Sequence, residues 1–185
     1  MKDRIAKPFL KWAGGKTQLI NDIERVETKR SINANPEIIF VAEIYNPAQY
    51  KNYLQTGKFD YLYDKVQLYD TLRGLINNQR SANDIDVIQK SLEGINANML
   101  HFLENHDEQR IASPDFAGDA WKIVPAMVVS ATIDQGPVMI YFGQEVGEPG
   151  AGTEGFSGKD GRTTIFDYWG VPEHQKWMNG GEFDG

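Results

Sequence analysis

Four short apolar runs, separated by stretches with helical patterning, constrain the fold of this sequence more than any other feature. The runs cover residues 36–43, 59–66, 99–107 and 137–145. Short apolar runs with β-branched and aromatic residues are typical of strands buried on both faces of a parallel sheet. Helices are predicted between these runs at residues 46–57, 83–94 and 125–133. The order β-α-β-α-β-α-β predicts an α/β fold with a parallel sheet and helices packed outside it.

The predicted helix boundaries depend on residues that commonly begin and end helices. Asn46 suits the N-cap of the first helix, Pro47 suits its first turn, and Gly57 can end it. Either Ser81 or Asn83 can cap the second helix, whose apolar residues fall on one face. These signals support three crossover helices between four strands.

The composition limits the classes of function that are open to the chain. Its 185 residues are enough for one domain with a buried core, and the absence of cysteine excludes disulfides, thiolate nucleophiles and cysteine-ligated metals. The net charge is −7, divided between +4 in residues 1–30 and −11 in the remainder. Because phosphate binding needs a clustered basic face, we expect no nucleic acid partner. No apolar run reaches the length of a membrane span or signal peptide, so we expect a soluble chain without a membrane partner.

Acidic residues stand at the ends of three of the four predicted strands. They are Glu43, Asp107 with His106 before it, and Glu145. Functional residues of parallel α/β folds collect at the carboxyl ends of strands, and paired carboxylates there suit acid catalysis on glycosides. Capping or loop carboxylates would give the same pattern, so both interpretations stay open. No spacing of His, Asp or Glu predicts a metal site, and no cofactor is predicted.

Several segments resemble the α-amylase family, glycoside hydrolase family 13. They read IIFVAEIYNP, FLENHDEQR, GPVMIYFGQE and DGRTTIFDYWGVPEHQKWMNGG, and the resemblance spans about residues 33–185. It implies a partial (β/α)8 TIM barrel with strands five to eight, in which Glu43 is the general acid/base and Asp107 stabilises the transition state of a retaining mechanism. A starch-like α-glucan or maltooligosaccharide is the implied substrate. Substrate-binding roles are implied for His106, Tyr45, Asn105 and Arg110.

The sequence also departs from the α-amylase family. The family nucleophile is an aspartate in a Gly-Phe-Arg-x-Asp-like segment before the acid, and nothing in residues 1–36 resembles it. Strands one to four have no counterpart, and a complete barrel needs at least about 200 residues. We therefore expect a truncated chain that is inactive by itself. Its open strand edges favour homo-oligomers or aggregates.

The beginning of the chain resembles a different family. Residues 7–24, starting KPFLKWAGGK, resemble the N-terminus of a Dam-type adenine-N6 DNA methyltransferase. That resemblance implies an S-adenosylmethionine pocket around Trp12, Gly14, Gly15 and Lys16. The Gly-rich loop and the Asp-Pro-Pro-Tyr motif of that family are missing from the sequence. A phosphate loop is excluded because Leu10 stands where its first glycine is required.

The chain is thus divided into a methyltransferase-like segment, residues 1–30, and a partial amylase barrel, residues 33–185. A chimeric, inactive glycosidase, a non-catalytic glucan-binding fragment and a methyltransferase fragment are the open interpretations, and residues 1–30 also fit a basic arm. The glycine-rich residues 147–161 predict a loop. His101 and His174 are expected to be structural or solvated. Four tail aromatics fit either a sugar-stacking surface or a packed core: Phe166, Tyr168, Trp169 and Trp177.

Overall fold

The computed structural model describes residues 35, 37–152, 161–163 and 171–179. The chain divides into two units, Met1–Ile38 and Ile39–Gly185, and every element described below belongs to the second unit. The methyltransferase-like residues 7–24 lie outside the described residues, as do the tail aromatics Phe166, Tyr168 and Trp169.

Four short strands form one parallel sheet in chain order. They are β1 (Val41–Ala42), β2 (Tyr61–Tyr63), β3 (Met99–Phe102) and β4 (Val138–Met139). Adjacent strands are all parallel, and the paired residues are Val41 with Tyr61, Leu62 with Met99, and His101 with Val138. Each strand lies within one predicted apolar run, so the predicted parallel α/β sheet is confirmed, although the strands are shorter than the runs.

Helices occupy the connections between the strands, and one further helix follows β4. They are α1 (Tyr50–Gln55), α2 (Asp70–Ile76), α3 (Asn83–Ser91), α4 (Ile123–Thr132) and α5 (Pro172–Met178). Short turns extend or separate them: 3-10 turns at Pro47–Gln49, Asn96–Asn98, Ala120–Lys122 and Gln144–Val146, and a π-helical turn at Lys65–Tyr69. The predicted cap is present, since the side chain of Asn46 accepts a hydrogen bond from the backbone N–H of Ala48 at 3.2 Å. None of the helices in the described part of the chain is long and apolar enough to cross a membrane.

The helical segment after β2 is absent from the sequence-based prediction, which extends the strand to residue 66. The strand instead ends at Tyr63, because the carboxylate of Asp64 accepts a hydrogen bond from the backbone N–H of Leu68 at 3.0 Å and begins the π-helical turn. Leu68 and Leu72 follow at helical spacing and are both buried. The prediction also omits α5, and α4 begins at Ile123, before its predicted start at residue 125.

Two apolar clusters form the core, one that includes strand side chains and one built from helices and loops. One contains Ala42, Ile44, Tyr50, Leu62, Leu92 and Met99. The other contains Leu68, Leu72, Leu103, Ile111 and Ala126. Because side chains alternate along a strand, Tyr63 points to the face opposite Leu62. On that face its ring lies 5.1 Å from the ring of Phe102, and its hydroxyl lies 3.8 Å from the sulfur of Met139. These contacts leave the carboxyl ends of the strands beside a layer of aromatic side chains.

Candidate active site

The carboxyl ends of the four parallel strands bring several polar loops to one edge of the sheet. Glu43 directly follows β1 and is exposed, in agreement with its predicted position at a strand end. The other two predicted strand-end carboxylates lie several residues beyond the ends of their strands. Asp107 lies in the loop after β3, and Glu145 lies in the 3-10 turn Gln144–Val146, where its carboxylate is 3.9 Å from Nε2 of His174.

Tyr45 lies beside Glu43, and acidic residues of a second loop also affect its pKa. Its hydroxyl donates a hydrogen bond to Oε1 of Glu43 at 2.6 Å. The pKa of Tyr45 is raised, first by burial, then by the hydrogen bond and charge of Glu43, and further by the charges of Asp107 and Glu108. Tyr45 is therefore a neutral phenol that donates a hydrogen bond to the carboxylate at the first strand end.

Glu43 and Asp107 also affect the pKa of Tyr63, which lies at the end of β2. Burial raises its pKa most, and the charges of Glu43 and Asp107 raise it further. Burial also raises the pKa of Tyr141, which follows β4, although the hydrogen bond with Thr163 and the charge of Arg110 oppose the increase. Polar side chains thus follow or end each of the four strands.

Asn105 fixes the backbone of the loop that carries Asp107. Its Oδ1 accepts hydrogen bonds from the backbone N–H groups of Asp107 and Glu108, both at 2.9 Å. Asn105 is 1% exposed, so it braces the loop from beneath. Nε2 of His106 lies 3.4 Å from Oδ2 of Asp107, whose side chain is 39% exposed. An imidazole and an accessible carboxylate therefore stand side by side, as an arrangement that binds neighbouring hydroxyl groups requires.

Glu108 ties the same loop to the helical segment after β2. Its carboxylate lies 2.7 Å from Nη1 of Arg73 and 3.2 Å from Nζ of Lys65, and it accepts a hydrogen bond from the hydroxyl of Tyr69 at 3.0 Å. Charge-assisted hydrogen bonds of this kind hold a loop in one geometry. Glu108 thus contributes to the position of Asp107, the residue that precedes it.

Arg110, predicted to bind substrate, is 1% exposed, and its guanidinium contacts protein groups on several sides. It donates to Oε2 of Glu104 at 2.8 Å, to the hydroxyl of Thr163 at 2.9 Å and to the carbonyl of Phe142 at 2.5 Å. It also lies 4.3 Å from the centre of the Tyr141 ring. This burial favours a role in holding the loops after β3 and β4 together.

Some residues of this edge carry no clear signal in the sequence. Tyr63, Tyr141 and Glu108 lie near the predicted site residues, but only the strand alternation of β2 could have pointed to Tyr63. Trp177 is 62% exposed and its ring lies 5.5 Å from the ring of His174, so it lies outside the packed core. Among the described residues, no three or more His, Asp or Glu side chains are grouped so that they could hold a metal ion.

The fold and this edge define a class of protein: a parallel α/β protein with acidic, tyrosine-flanked loops at the carboxyl ends of its strands. A family model described as the α-amylase catalytic domain matches residues 16–172, which is most of the chain. The chain therefore belongs to the α-amylase family. Comparisons with curated proteins and with solved structures found no match. Nothing in these comparisons supports the resemblance of residues 7–24 to a methyltransferase, and the family match begins within that segment.

Proposed function

We propose that this chain is part of an α-amylase-type glycoside hydrolase, a partial (β/α)8 barrel in which β1 to β4 are strands five to eight. The match to the α-amylase catalytic domain over residues 16–172 carries the proposal. The fold agrees with it, because Glu43 directly follows β1 and Asp107 lies in the loop after β3 of the same parallel sheet. Two carboxylates that share one aromatic-lined edge suit the hydrolysis of glycosidic bonds. A starch-like α-glucan or maltooligosaccharide is the proposed ligand.

Each site residue has a proposed role in the intact barrel. Glu43 donates a proton to the departing glycosidic oxygen, and the Tyr45 hydroxyl orients it through the 2.6 Å hydrogen bond. Asp107 stabilises the positive charge that develops at the anomeric carbon. His106 binds a sugar hydroxyl beside Asp107, and Asn105 holds the loop in place. For Arg110 we propose an indirect role, because its buried guanidinium already contacts Glu104.

The same proposal predicts that this chain hydrolyses no starch by itself. A retaining mechanism needs a carboxylate nucleophile, and the sequence before Glu43 has no segment like the family's Gly-Phe-Arg-x-Asp. The test measures reducing sugar released from soluble starch by the purified chain, with Glu43→Gln as the control. We expect no release from either protein. Release by the wild type that is lost in Glu43→Gln would overturn the partial-barrel proposal.

A glucan-binding fragment remains the second candidate, because binding needs no nucleophile. The carboxylate of Asp107 is 39% exposed and lies 3.4 Å from Nε2 of His106, so hydroxyl groups of a ligand can reach it. NMR titration with maltoheptaose should show binding that is lost in Asp107→Ala and kept in Asp86→Ala, a variant of an exposed carboxylate on α3. Equal binding by both variants, or none by the wild type, would reject this function.

We also propose that the sheet edges promote self-association. Within the described residues, β1 pairs only with β2 and β4 pairs only with β3. Unpaired backbone groups at both ends of a parallel sheet favour pairing with another chain. Size-exclusion chromatography with light scattering should find dimers or larger species. A monomer at all concentrations tested would exclude this association.

The methyltransferase resemblance at residues 7–24 remains a separate prediction about a segment outside the described residues. It requires S-adenosylmethionine binding that depends on Lys16. Isothermal calorimetry with the cofactor, on wild type and Lys16→Ala, tests it. We expect no binding, because the Gly-rich loop and the Asp-Pro-Pro-Tyr motif are missing.

A further inference from the structure

His101 is held between two carboxylates in the interior of the protein. It lies in β3 and is 1% exposed. Its Nδ1 is 2.9 Å from Oδ2 of Asp64, and its Nε2 is 2.9 Å from Oδ1 of Asp134. Ionised carboxylate oxygens only accept hydrogen bonds, so both ring nitrogens need a proton if both bonds are made.

The two carboxylates belong to different parts of the fold. Asp64 directly follows β2 and also accepts a hydrogen bond from the backbone N–H of Leu68 at 3.0 Å. Asp134 precedes β4 and accepts from the backbone N–H of Gly136 at 2.7 Å and from the side-chain amide of Gln89, in α3, at 3.2 Å. The imidazole ring therefore joins the end of β2, the loop before β4 and, through Asp134, helix α3.

We propose that the His101 imidazolium is a proton-dependent clamp that holds the end of β2 to the loop before β4 and weakens this junction when the ring loses a proton. Loss of either ring proton would place a nitrogen lone pair against a carboxylate oxygen. One hydrogen bond would then become a repulsion, and a buried negative charge would lose its partner. The clamp is independent of the proposed function.

The charged groups that face the ring support the clamp. Burial lowers the pKa of His101, but the hydrogen bonds and charges of Asp64 and Asp134 raise it more, so that the pKa is raised overall. Burial raises the pKa of Asp134, yet its bonds to His101, Gly136 and Gln89 outweigh burial and lower the pKa. On α1, the pKa of Tyr50 is raised by burial and by the charge of Asp64, which keeps this phenol neutral. From α3 the packing contributes the uncharged Gln89.

The signs of these shifts define a pH window. Because the pKa of His101 is higher in the folded chain, its contribution to stability is complete below the unfolded pKa of about 6.5 and is lost as the pH rises through the folded pKa. Because the pKa of Asp134 is lower in the folded chain, its contribution is present above about 3.9 and is lost as the pH falls through its folded pKa. The clamp is therefore strongest in mildly acidic solution.

Nitrogen-15 NMR of the histidine rings in the full chain tests the protonation state directly. We expect both nitrogens of His101 to be protonated at pH 7 and its titration to lie above about 6.5. The spectra of His106→Gln and His174→Gln assign the third histidine by elimination, so no variant of the buried ring is needed. A ring with one unprotonated nitrogen at pH 7 would overturn the clamp.

Denaturant unfolding between pH 6 and pH 9 tests the effect on stability. The wild type should lose stability across this range, and His101→Gln should show a smaller loss because glutamine has no proton to release. His174→Gln, a substitution of a partly exposed histidine, should keep the wild-type dependence. Parallel pH profiles for the wild type and His101→Gln would also overturn the clamp.

Discussion

Glu104 and Asp107 lie in the same loop after β3, yet their surroundings differ completely. Glu104 is 2% exposed, and its two oxygens accept hydrogen bonds from Arg110 and from the backbone N–H of Ile111, both at 2.8 Å. The side chain of Asp107 is 39% exposed, and its carboxylate lies 3.4 Å from the ring of His106. One loop thus places a hydrogen-bonded carboxylate in the interior and a solvent-accessible carboxylate near the carboxyl ends of the strands.

This contrast separates acidic groups that hold the fold from those that a ligand can reach. Burial raises the pKa of Glu104 even though Arg110 lowers it, so Glu104 needs Arg110 in order to stay ionised. An accessible carboxylate keeps its hydration and requires no such partner. Substitutions in the buried pair should therefore change stability, and substitutions of the accessible carboxylate should change binding.

Breaking the buried pair of Glu104 and Arg110 should reduce stability most. Arg110→Met would leave the buried Glu104 without its cation and would remove the hydrogen bonds that Arg110 donates to Thr163 and Phe142. We expect a loss of about 3–5 kcal/mol in the free energy of unfolding, measured by denaturant titration at pH 7.

A double variant distinguishes the cost of the broken ion pair from the cost of lost packing. Glu104→Gln added to Arg110→Met removes the buried charge and keeps an oxygen for the N–H of Ile111. The double variant should be more stable than Arg110→Met alone. If both variants unfold with the same free energy, the cost comes from packing, and the comparison between Glu104 and Asp107 is wrong.

A smaller effect on stability is expected at Gly136, where the backbone packs closely against His101 and Asp134. A Cβ at Gly136 would collide with the carbonyl oxygen of Met99 and would lie 3.0 Å from both Oδ1 of Asp134 and Nε2 of His101. Gly136→Ala should lower the free energy of unfolding by about 1–3 kcal/mol. Gln135→Ala, at the exposed neighbouring position, is the control and should change it little. Equal stability of the two variants would show that the loop can move aside.

The positions of the strands were predictable because an apolar run marks a buried strand locally. Each of the four strands falls inside such a run, and the cap at Asn46 has a local sequence signal. The helical segment after β2 was missed because the aspartates of FDYLYDKV alternate with aromatics and extend the apparent strand. Its helical spacing of Leu68 and Leu72 becomes visible only once Asp64 is known to end the strand.

The candidate site was predictable to a lesser degree. Glu43 directly follows its strand, as the end of an apolar run indicates. The partners of Asp64, His101 and Asp134 come from separate elements, so no spacing in the sequence marks them. The burial of Arg110 could not be predicted for the same reason, because its partner Thr163 lies in a distant part of the chain.

A moderate effect should follow from releasing the loop that carries Asp107. Asn105→Ala removes the oxygen that accepts two backbone hydrogen bonds. We expect a loss of about 1 kcal/mol in the free energy of unfolding, together with weaker binding of maltoheptaose. Asn83→Ala, at an exposed asparagine, is the control for both measurements. Unchanged binding in Asn105→Ala would separate the loop geometry from the glucan site.

The smallest effect on stability is expected at the accessible carboxylate itself. Asp107→Asn keeps the size of the side chain and removes only its charge, which already contacts solvent, so the free energy of unfolding should change by less than about 0.5 kcal/mol. Binding of maltoheptaose should nevertheless fall, because the substitution removes the charge that we propose for contact with sugar hydroxyls. Asp86→Asn, whose side chain is 69% exposed on α3, should change neither quantity. A large loss of stability in Asp107→Asn would mean that this carboxylate holds the fold as Glu104 does, and the proposed division of labour within the loop would then fail.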